Sequence, residues 1–363
     1  MENRAKTDNR IYSFDLLRIG CAYLVILMHT TAQVLYAIPM EQTGTFRWLF
    51  PLLCNSLTHC SVPLFVMLSG ALFLKKDGNA DPKRLFFHST LRILVLYFLW
   101  AFVYAFLSLL RSGEPLSHLG DAFTNAPYHL WYLPMVVGLY LLTPLINTFL
   151  AAADEKKLRY ALLLFLICTI GFGTLLALPL PTFAVRLLSV RHETWILGYL
   201  GYYLLGYYLR NYPLQDGTFS MLRLAAALSL LLGFGGTHLL SVSQGQLNVA
   251  LIDSFSLLTL LVSAYLFALV CRHSDYAPRT QRGKRFLRGL SADTLGIYIF
   301  HLAFLSFLPL TLLFPEVYYP VIGKSAATIY SCALPVYALL IYAAGALLSA
   351  LLRRIPKAGR YLC

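Results

Sequence analysis

The first long apolar stretch of the chain, residues 12–38, carries the residue types best suited to chemistry. Asp15 and Arg18 are three positions apart, so on a helix they are neighbours and can neutralise each other. His29 lies eleven residues beyond Arg18, about three turns, which returns it to the same face roughly 16 Å deeper. Because histidine readily accepts a proton near neutral pH, this face could hold a general base. An ion pair and a hydrogen-bonded histidine that serve only folding are the alternative.

Further histidines fall within apolar stretches, where an imidazole needs a partner or a function. His59 follows Asn55 in the second stretch, and His301 lies near the middle of the ninth. His129 and Trp131 open the fourth stretch at a membrane boundary, where an aromatic belt is the alternative. We assign His59, His129, Trp131 and His301 to substrate binding, in a cavity shared with the first helix.

Two arginines mark the start of the third apolar stretch. Arg84 precedes it and Arg92 lies inside it, where they could bind anionic lipid or the phosphates of a cytoplasmic nucleotide cofactor. For Arg84, contact with lipid or a role in membrane orientation is the default interpretation. Arg92 lies deeper in the span, so this interpretation fits it less well. The seven cysteines are scattered through apolar runs without metal-ligand spacing, so we predict neither a disulfide framework nor a metal.

The amino-acid composition indicates which class of protein fold must position these residues. Hydrophobic residues make up 58% of the 363 and charged residues only 12%, against about 25% in soluble domains. A soluble enzyme is therefore excluded. The net charge of +13 is better explained by basic cytoplasmic loops than by nucleic-acid binding. We predict a single membrane domain over residues 1–363, without a separate soluble domain.

Apolar runs long enough to cross a bilayer, about 20 residues each, number ten, and none shows strand-like alternation. The predicted fold class is thus all-α, a polytopic membrane protein with ten transmembrane helices. The runs are residues 12–38, 48–74, 86–110, 129–150, 160–181, 194–210, 222–242, 252–271, 290–313 and 327–352.

The distribution of Lys and Arg predicts the orientation. With both termini cytoplasmic, 22 of the 29 basic residues lie in cytoplasmic segments and 5 outside. Basic residues favour the cytoplasmic side of a membrane, so this asymmetry predicts ten spans with both ends inside.

Four stretches, in order, resemble the acyltransferase-3 family of bacterial membrane acyltransferases. They are the run Phe-Asp-Leu-Leu-Arg at residues 14–18 followed by His29, residues 62–70, residues 129–133 with 138–144, and residues 295–301. The Gly-Leu-Tyr-Leu-Leu-Thr-Pro run at 138–144 is similar to the branch that O-acetylates surface-polysaccharide intermediates.

The resemblance implies transfer of an acyl group, usually acetyl, from cytoplasmic acyl-CoA to a hydroxyl of a cell-envelope glycan or lipid-linked sugar, in the bacterial inner membrane. It implies His29 as the catalytic residue, and we place Arg18 and Asp15 beside it. Arg18, Arg84 and Arg92 would bind CoA. Partners are then acetyl-CoA, the acceptor and membrane lipids, and a homo-oligomer is compatible with the sequence.

The residues by themselves leave the function open. Acyl transfer from a thioester to a hydroxyl needs a base near the nucleophile, and His29 could act as that base or carry the acyl group itself. An exporter or flippase of lipid-linked glycan, with intramembrane His and Asp as a proton relay, is the alternative, and a sensor or racemase-type module is a third. Polar groups concentrate in the first four spans and the ninth rather than in paired repeats, which favours the enzyme.

Overall fold

The computed structural model describes residues 10–77, 82–124, 128–176, 178, 195–307 and 324–355. Within these ranges the regular secondary structure is entirely helical, as the sequence predicts. The α-helices are α1 (Tyr12–Ala37), α2 (Phe46–Thr58), α3 (Ser61–Phe73), α4 (Pro82–Leu85), α5 (Leu91–Ser112), α6 (Leu119–Thr124), α7 (Tyr132–Ala152), α8 (Glu155–Phe165), α9 (Phe172–Leu176), α10 (Trp195–Asn211), α11 (Asp216–Gln244), α12 (Leu257–Arg272), α13 (Gln281–Phe307) and α14 (Lys324–Leu352). The π-helical segments Phe86–Thr90 and Leu166–Gly171 join α4 to α5 and α8 to α9.

Nine helical segments in the described ranges are long and apolar enough to cross a membrane, which makes this a multi-pass membrane protein. They are Tyr12–Ala37, Phe46–Phe73, Leu91–Ser112, His129–Ala152, Glu155–Leu176, Asp216–Gln244, Ala250–Arg272, Gln281–Ser306 and Ser331–Leu352. The seventeen-residue α10 matches the predicted sixth span, so the count of ten, like the orientation, stays a prediction. On α5, Phe98, Phe102 and Phe106 are exposed one turn apart, as a lipid-facing surface requires.

The predicted second span is two helices in line rather than one. Helix α2 ends at Thr58 and α3 begins at Ser61, with His59 and Cys60 between them. The cause is Pro63, which lacks an N–H and whose ring would clash with the His59 carbonyl in a continuous helix, but which is tolerated in the first turn of a new one.

Helix α1 is central to the bundle and packs against α2, α3, α13 and α14. An apolar cluster on one side joins it to α3, α7, α10 and α12, and a second cluster on the other side joins it to α2, α13 and α14. Because α1 is enclosed on both sides, its polar residues are held inside the protein rather than against lipid.

Helices α3 and α10 cross at very close range. A Cβ added at Gly70 would overlap the Tyr203 carbonyl, and one at Gly206 would overlap the Met67 carbonyl. Small residues such as Gly70 and Gly206 allow membrane helices to pack backbone against backbone in this way. This crossing holds α3 in place, and the opposite side of α3 lines a cavity.

Candidate active site

Asp15 is the centre of a polar cluster at the start of α1. It is buried and accepts two hydrogen bonds from Arg10, from Nε to Oδ2 at 2.6 Å and from Nη2 to Oδ1 at 2.7 Å. Arg18 is farther away, with Nη1 3.9 Å from Oδ1. The prediction that Asp15 and Arg18 neutralise each other is therefore right only in part, because Arg10, just ahead of the helix, is the closer partner.

Ser291 connects this cluster to α13. Its hydroxyl donates to Asp15 Oδ1 at 2.6 Å and accepts from Arg18 Nη1 at 3.2 Å. The Arg18 side chain is about one-third exposed, at the edge of a cavity. Arg18 is thus positioned by the Ser291 hydroxyl and by the more distant Asp15 carboxylate.

That cavity has a volume of about 700 Å³ and lies between α1, α3, α5, α7, α13 and α14. Arg18, Arg92 and Arg353 line it, and Ser89 adds a hydroxyl from the π-helical segment before α5. Its other walls are largely apolar and aromatic, with Val62, Phe65, Tyr132, Val136 and Leu295 among them. The Arg84 side chain lies outside what the structure describes.

Arg353 follows the last apolar stretch, where an arginine is typical of a cytoplasmic flank, yet it lines the cavity from the end of α14. It forms a forked ion pair with buried Asp293, with Nε 2.7 Å from Oδ1 and Nη2 2.8 Å from Oδ2. Ser349 also donates to Asp293 Oδ1 at 2.9 Å. The pair largely cancels the Arg353 charge.

Three histidines from three parts of the chain come together. The rings of His29 on α1 and His301 on α13 are stacked, with centroids 5.2 Å apart. His129, from the turn before α7, meets His301 edge-on with centroids 5.1 Å apart. His129 and His301 are fully buried and His29 is half-buried.

Backbone carbonyls of α13 orient two of these rings. His301 Nδ1 lies 2.5 Å from the Tyr298 carbonyl, and His129 Nε2 lies 3.4 Å from the Ile299 carbonyl. Since a carbonyl only accepts, each of these nitrogens carries the hydrogen. In the neutral ring His301 Nε2 is then the acceptor, and this buried atom has no hydrogen-bond partner among the described residues. This atom could accept a hydrogen bond from a hydroxyl group.

The cavity ends beside the histidines. Val25, which lines it, precedes His29 by four residues, and Tyr298 precedes His301 by three. One helical turn is 5.4 Å long, so about one turn separates the deep end of the cavity from the imidazoles. A molecule held by Arg18 and Arg92 would therefore point its far end at the histidine cluster.

A family model described as an acyltransferase domain, that of the acyltransferase-3 family, matches residues 11–354. The chain belongs to this family. No curated protein and no solved structure matches it. The match runs from the start of α1 to the end of α14, so the arginine cavity and the histidine cluster both lie within the acyltransferase domain.

The other two predicted substrate-binding residues of this acyltransferase, His59 and Trp131, contact different neighbours from those of His129 and His301. His59 Nε2 is 3.0 Å from Asn55 Oδ1, and the Asn55 amide donates to the Met28 carbonyl at 3.1 Å and to Thr31 at 3.0 Å. This network ties α2 to α1 beside His29, a supporting role.

Trp131 packs its ring against Tyr199 of α10, with centroids 5.7 Å apart, and is 38% exposed. His129, its near neighbour in sequence, packs against Tyr298 and His301 of α13. The aromatic-belt alternative therefore stays open for Trp131.

Proposed function

We propose that this acyltransferase moves an acetyl group from cytoplasmic acetyl-CoA to a hydroxyl of a cell-envelope glycan or lipid-linked sugar in the bacterial inner membrane. One observation carries the proposal: a cavity lined by arginines ends about one helical turn from a cluster in which His29 and His129 both contact His301. The cavity suits an anionic donor with a long arm, and the histidines suit proton transfer.

The donor site is supported by charge and shape. The planar guanidinium of arginine matches the geometry of phosphate oxygens, so Arg18 and Arg92 would hold the nucleotide end. Arg18 and His29 are roughly 16 Å apart along α1, a distance that an extended pantetheine arm could span. When bound, acetyl-CoA supplies an acyl group activated as a thioester.

The proposed chemistry begins at His29. Its imidazole takes the proton of the acceptor hydroxyl as the new ester C–O bond forms and the C–S bond of the thioester breaks. The resulting imidazolium returns the proton to the departing thiolate, so the histidine is neutral again after each cycle. His301 stacks against the His29 ring and stabilises its orientation.

The test is acetyl transfer by purified protein in lipid nanodiscs, followed with radiolabelled acetyl-CoA and the lipid-linked sugar fraction of the source membrane. We expect His29→Gln to reduce transfer by about 10²-fold or more, the usual effect of losing a general base. CoA affinity and melting temperature should stay near those of the parent. His273→Gln is the matched control, because His273 is exposed at the end of α12 and contacts its own helix at Leu269.

Normal transfer by folded His29→Gln protein would remove His29 from the mechanism. If the parent protein forms no acetylated product but moves labelled lipid-linked sugar across proteoliposome membranes, the exporter alternative replaces the transferase.

A further inference from the structure

Tyr104 on α5 places its hydroxyl inside the backbone hydrogen-bond ladder of α13. The hydroxyl donates to the Ile299 carbonyl at 2.7 Å and accepts the Ala303 N–H at 3.2 Å. Residues 299 and 303 are four apart, so these are the two ends of one helical hydrogen bond. A side chain inserted at such a point is a known cause of local opening in a helix. The insertion lies two residues from His301.

The same carbonyl also serves the histidine cluster. Ile299 O is the group that faces His129 Nε2 at 3.4 Å, and the Tyr104 and His129 rings meet edge-on with centroids 5.4 Å apart. A carbonyl oxygen has two lone pairs. With the Tyr104 hydroxyl on one of them and the Ala303 N–H engaged by that same hydroxyl, the second lone pair is available to His129.

We propose that Tyr104 is a positioning residue for the histidine cluster. Its hydroxyl bridges the Ile299 carbonyl and the Ala303 N–H and thereby keeps this turn of α13 open, with the carbonyl directed at His129 Nε2. That contact fixes the His129 ring with its hydrogen on Nε2, and the edge-on contact passes the orientation on to His301. The effect on turnover rests on the proposed acyl transfer, whereas the effect on the His129 tautomer does not.

The first test reads the tautomer directly. Protein labelled with ¹⁵N-histidine in nanodiscs should show His129 with its hydrogen on Nε2, the resonance being assigned by its loss in His129→Gln. In Tyr104→Phe the hydrogen bond between residues 303 and 299 closes again and draws the Ile299 carbonyl back along the helix axis, away from His129, so both neutral tautomers should become populated.

Tyr97→Phe is the matched control for this experiment. Tyr97 lies two turns before Tyr104 on the same helix and packs in the same apolar cluster, but its hydroxyl makes no hydrogen bond within the described part of the chain. We expect the His129 spectrum of Tyr97→Phe to match that of the parent.

The second test separates turnover from donor binding. Tyr104 does not line the arginine cavity, so the KM for acetyl-CoA should be unchanged in Tyr104→Phe. The kcat should fall by about 10–100-fold, the range found when an orienting partner of a metal-bound histidine is removed. A residue that only ties α5 to α13 would lower the melting temperature without shifting the tautomer.

An unchanged His129 tautomer in folded Tyr104→Phe protein overturns the proposal, and so does a changed tautomer with unchanged kcat. A changed tautomer in a protein whose parent transfers no acetyl group supports the orienting effect and refutes the proposed function instead. If Tyr104→Phe does not fold, p-aminophenylalanine at position 104 takes its place. Its amine still donates to Ile299 but accepts poorly from Ala303, so the same tautomer shift is expected.

Discussion

Arg18 and His29 share a face of α1, and each finds its partner on α13. Arg18 contacts Ser291, and His29 stacks on His301. The eleven-residue separation on one helix is matched by a ten-residue separation on the other, so the two helices run side by side in the same direction. This pairing places the cationic group and the base at the two ends of one structural unit, about three turns apart.

The donor site is tested with Arg18→Gln and Arg92→Gln. Each variant removes a charge-assisted hydrogen bond to phosphate, worth roughly 1.5–3 kcal/mol, so CoA affinity should fall about 10-fold or more in each. Calorimetry with CoA on purified protein gives the affinity, and the melting temperature shows that the fold persists.

Arg159→Gln is the control for loss of a basic side chain. Arg159 lies on the exposed surface of α8, pairs with Glu155 at 2.6 Å and lies away from the cavity. Unchanged CoA affinity in both cavity variants would assign these arginines to structure or lipid contact.

For individual residues, the sequence predicts which side chains share a face of one helix, because the helical repeat determines this. It places Arg18 and His29 on one helix face, because both positions belong to one element. It identifies His129 and His301 as polar residues in apolar stretches that need partners. It does not reveal that these histidines meet, or that Tyr104 enters the α13 ladder, since such contacts depend on how helices pack. The sequence does not reveal that Arg353 lines the cavity, because basic residues commonly follow a span on its cytoplasmic side.

Most helices can be predicted from hydropathy together with the Pro and Gly residues that begin, end or interrupt them. The predicted second span corresponds to one candidate span, Phe46–Phe73, which Pro63 divides into α2 and α3. Gly70 predicts close packing but does not name its partner, which the structure identifies as α10 through Gly206. Pair contacts between helices are set by complementary surfaces on both, so one helix's sequence cannot specify them.

The α3–α10 crossing gives a prediction about stability. Gly70→Ala and Gly206→Ala each force a methyl group into a backbone carbonyl, and overpacking of this kind costs typically 1–3 kcal/mol. We expect a lower melting temperature in nanodiscs for both. Gly235→Ala on α11 is the control, because no atom lies within 4 Å of its added Cβ. Equal melting temperatures for all three variants would show that the crossing has room to relax.

At the scale of the whole molecule, the direction of the helices bears on the number of spans. Helices α1 and α13 run in the same direction, so the chain must cross the membrane an odd number of times between them. The candidate spans between them number six in the described ranges. Adding α10 makes seven, which is odd. The parity therefore favours α10 as a span and supports the predicted count of ten.

The predicted orientation assigns the arginine cavity to the cytoplasm, where acetyl-CoA would enter, and labelling of cysteines in intact cells tests it. In a variant with Cys168, Cys271 and Cys332 replaced by alanine, we expect Cys363 to resist an impermeant thiol reagent until the cells are permeabilised. Cys363 lies outside the described residues, so the expectation rests on the charge asymmetry of the loops. Glu114→Cys, in the exposed loop after α5, is the control that should react before permeabilisation. Reaction of Cys363 in intact cells would invert the topology and place the cavity on the side of the membrane that lacks CoA.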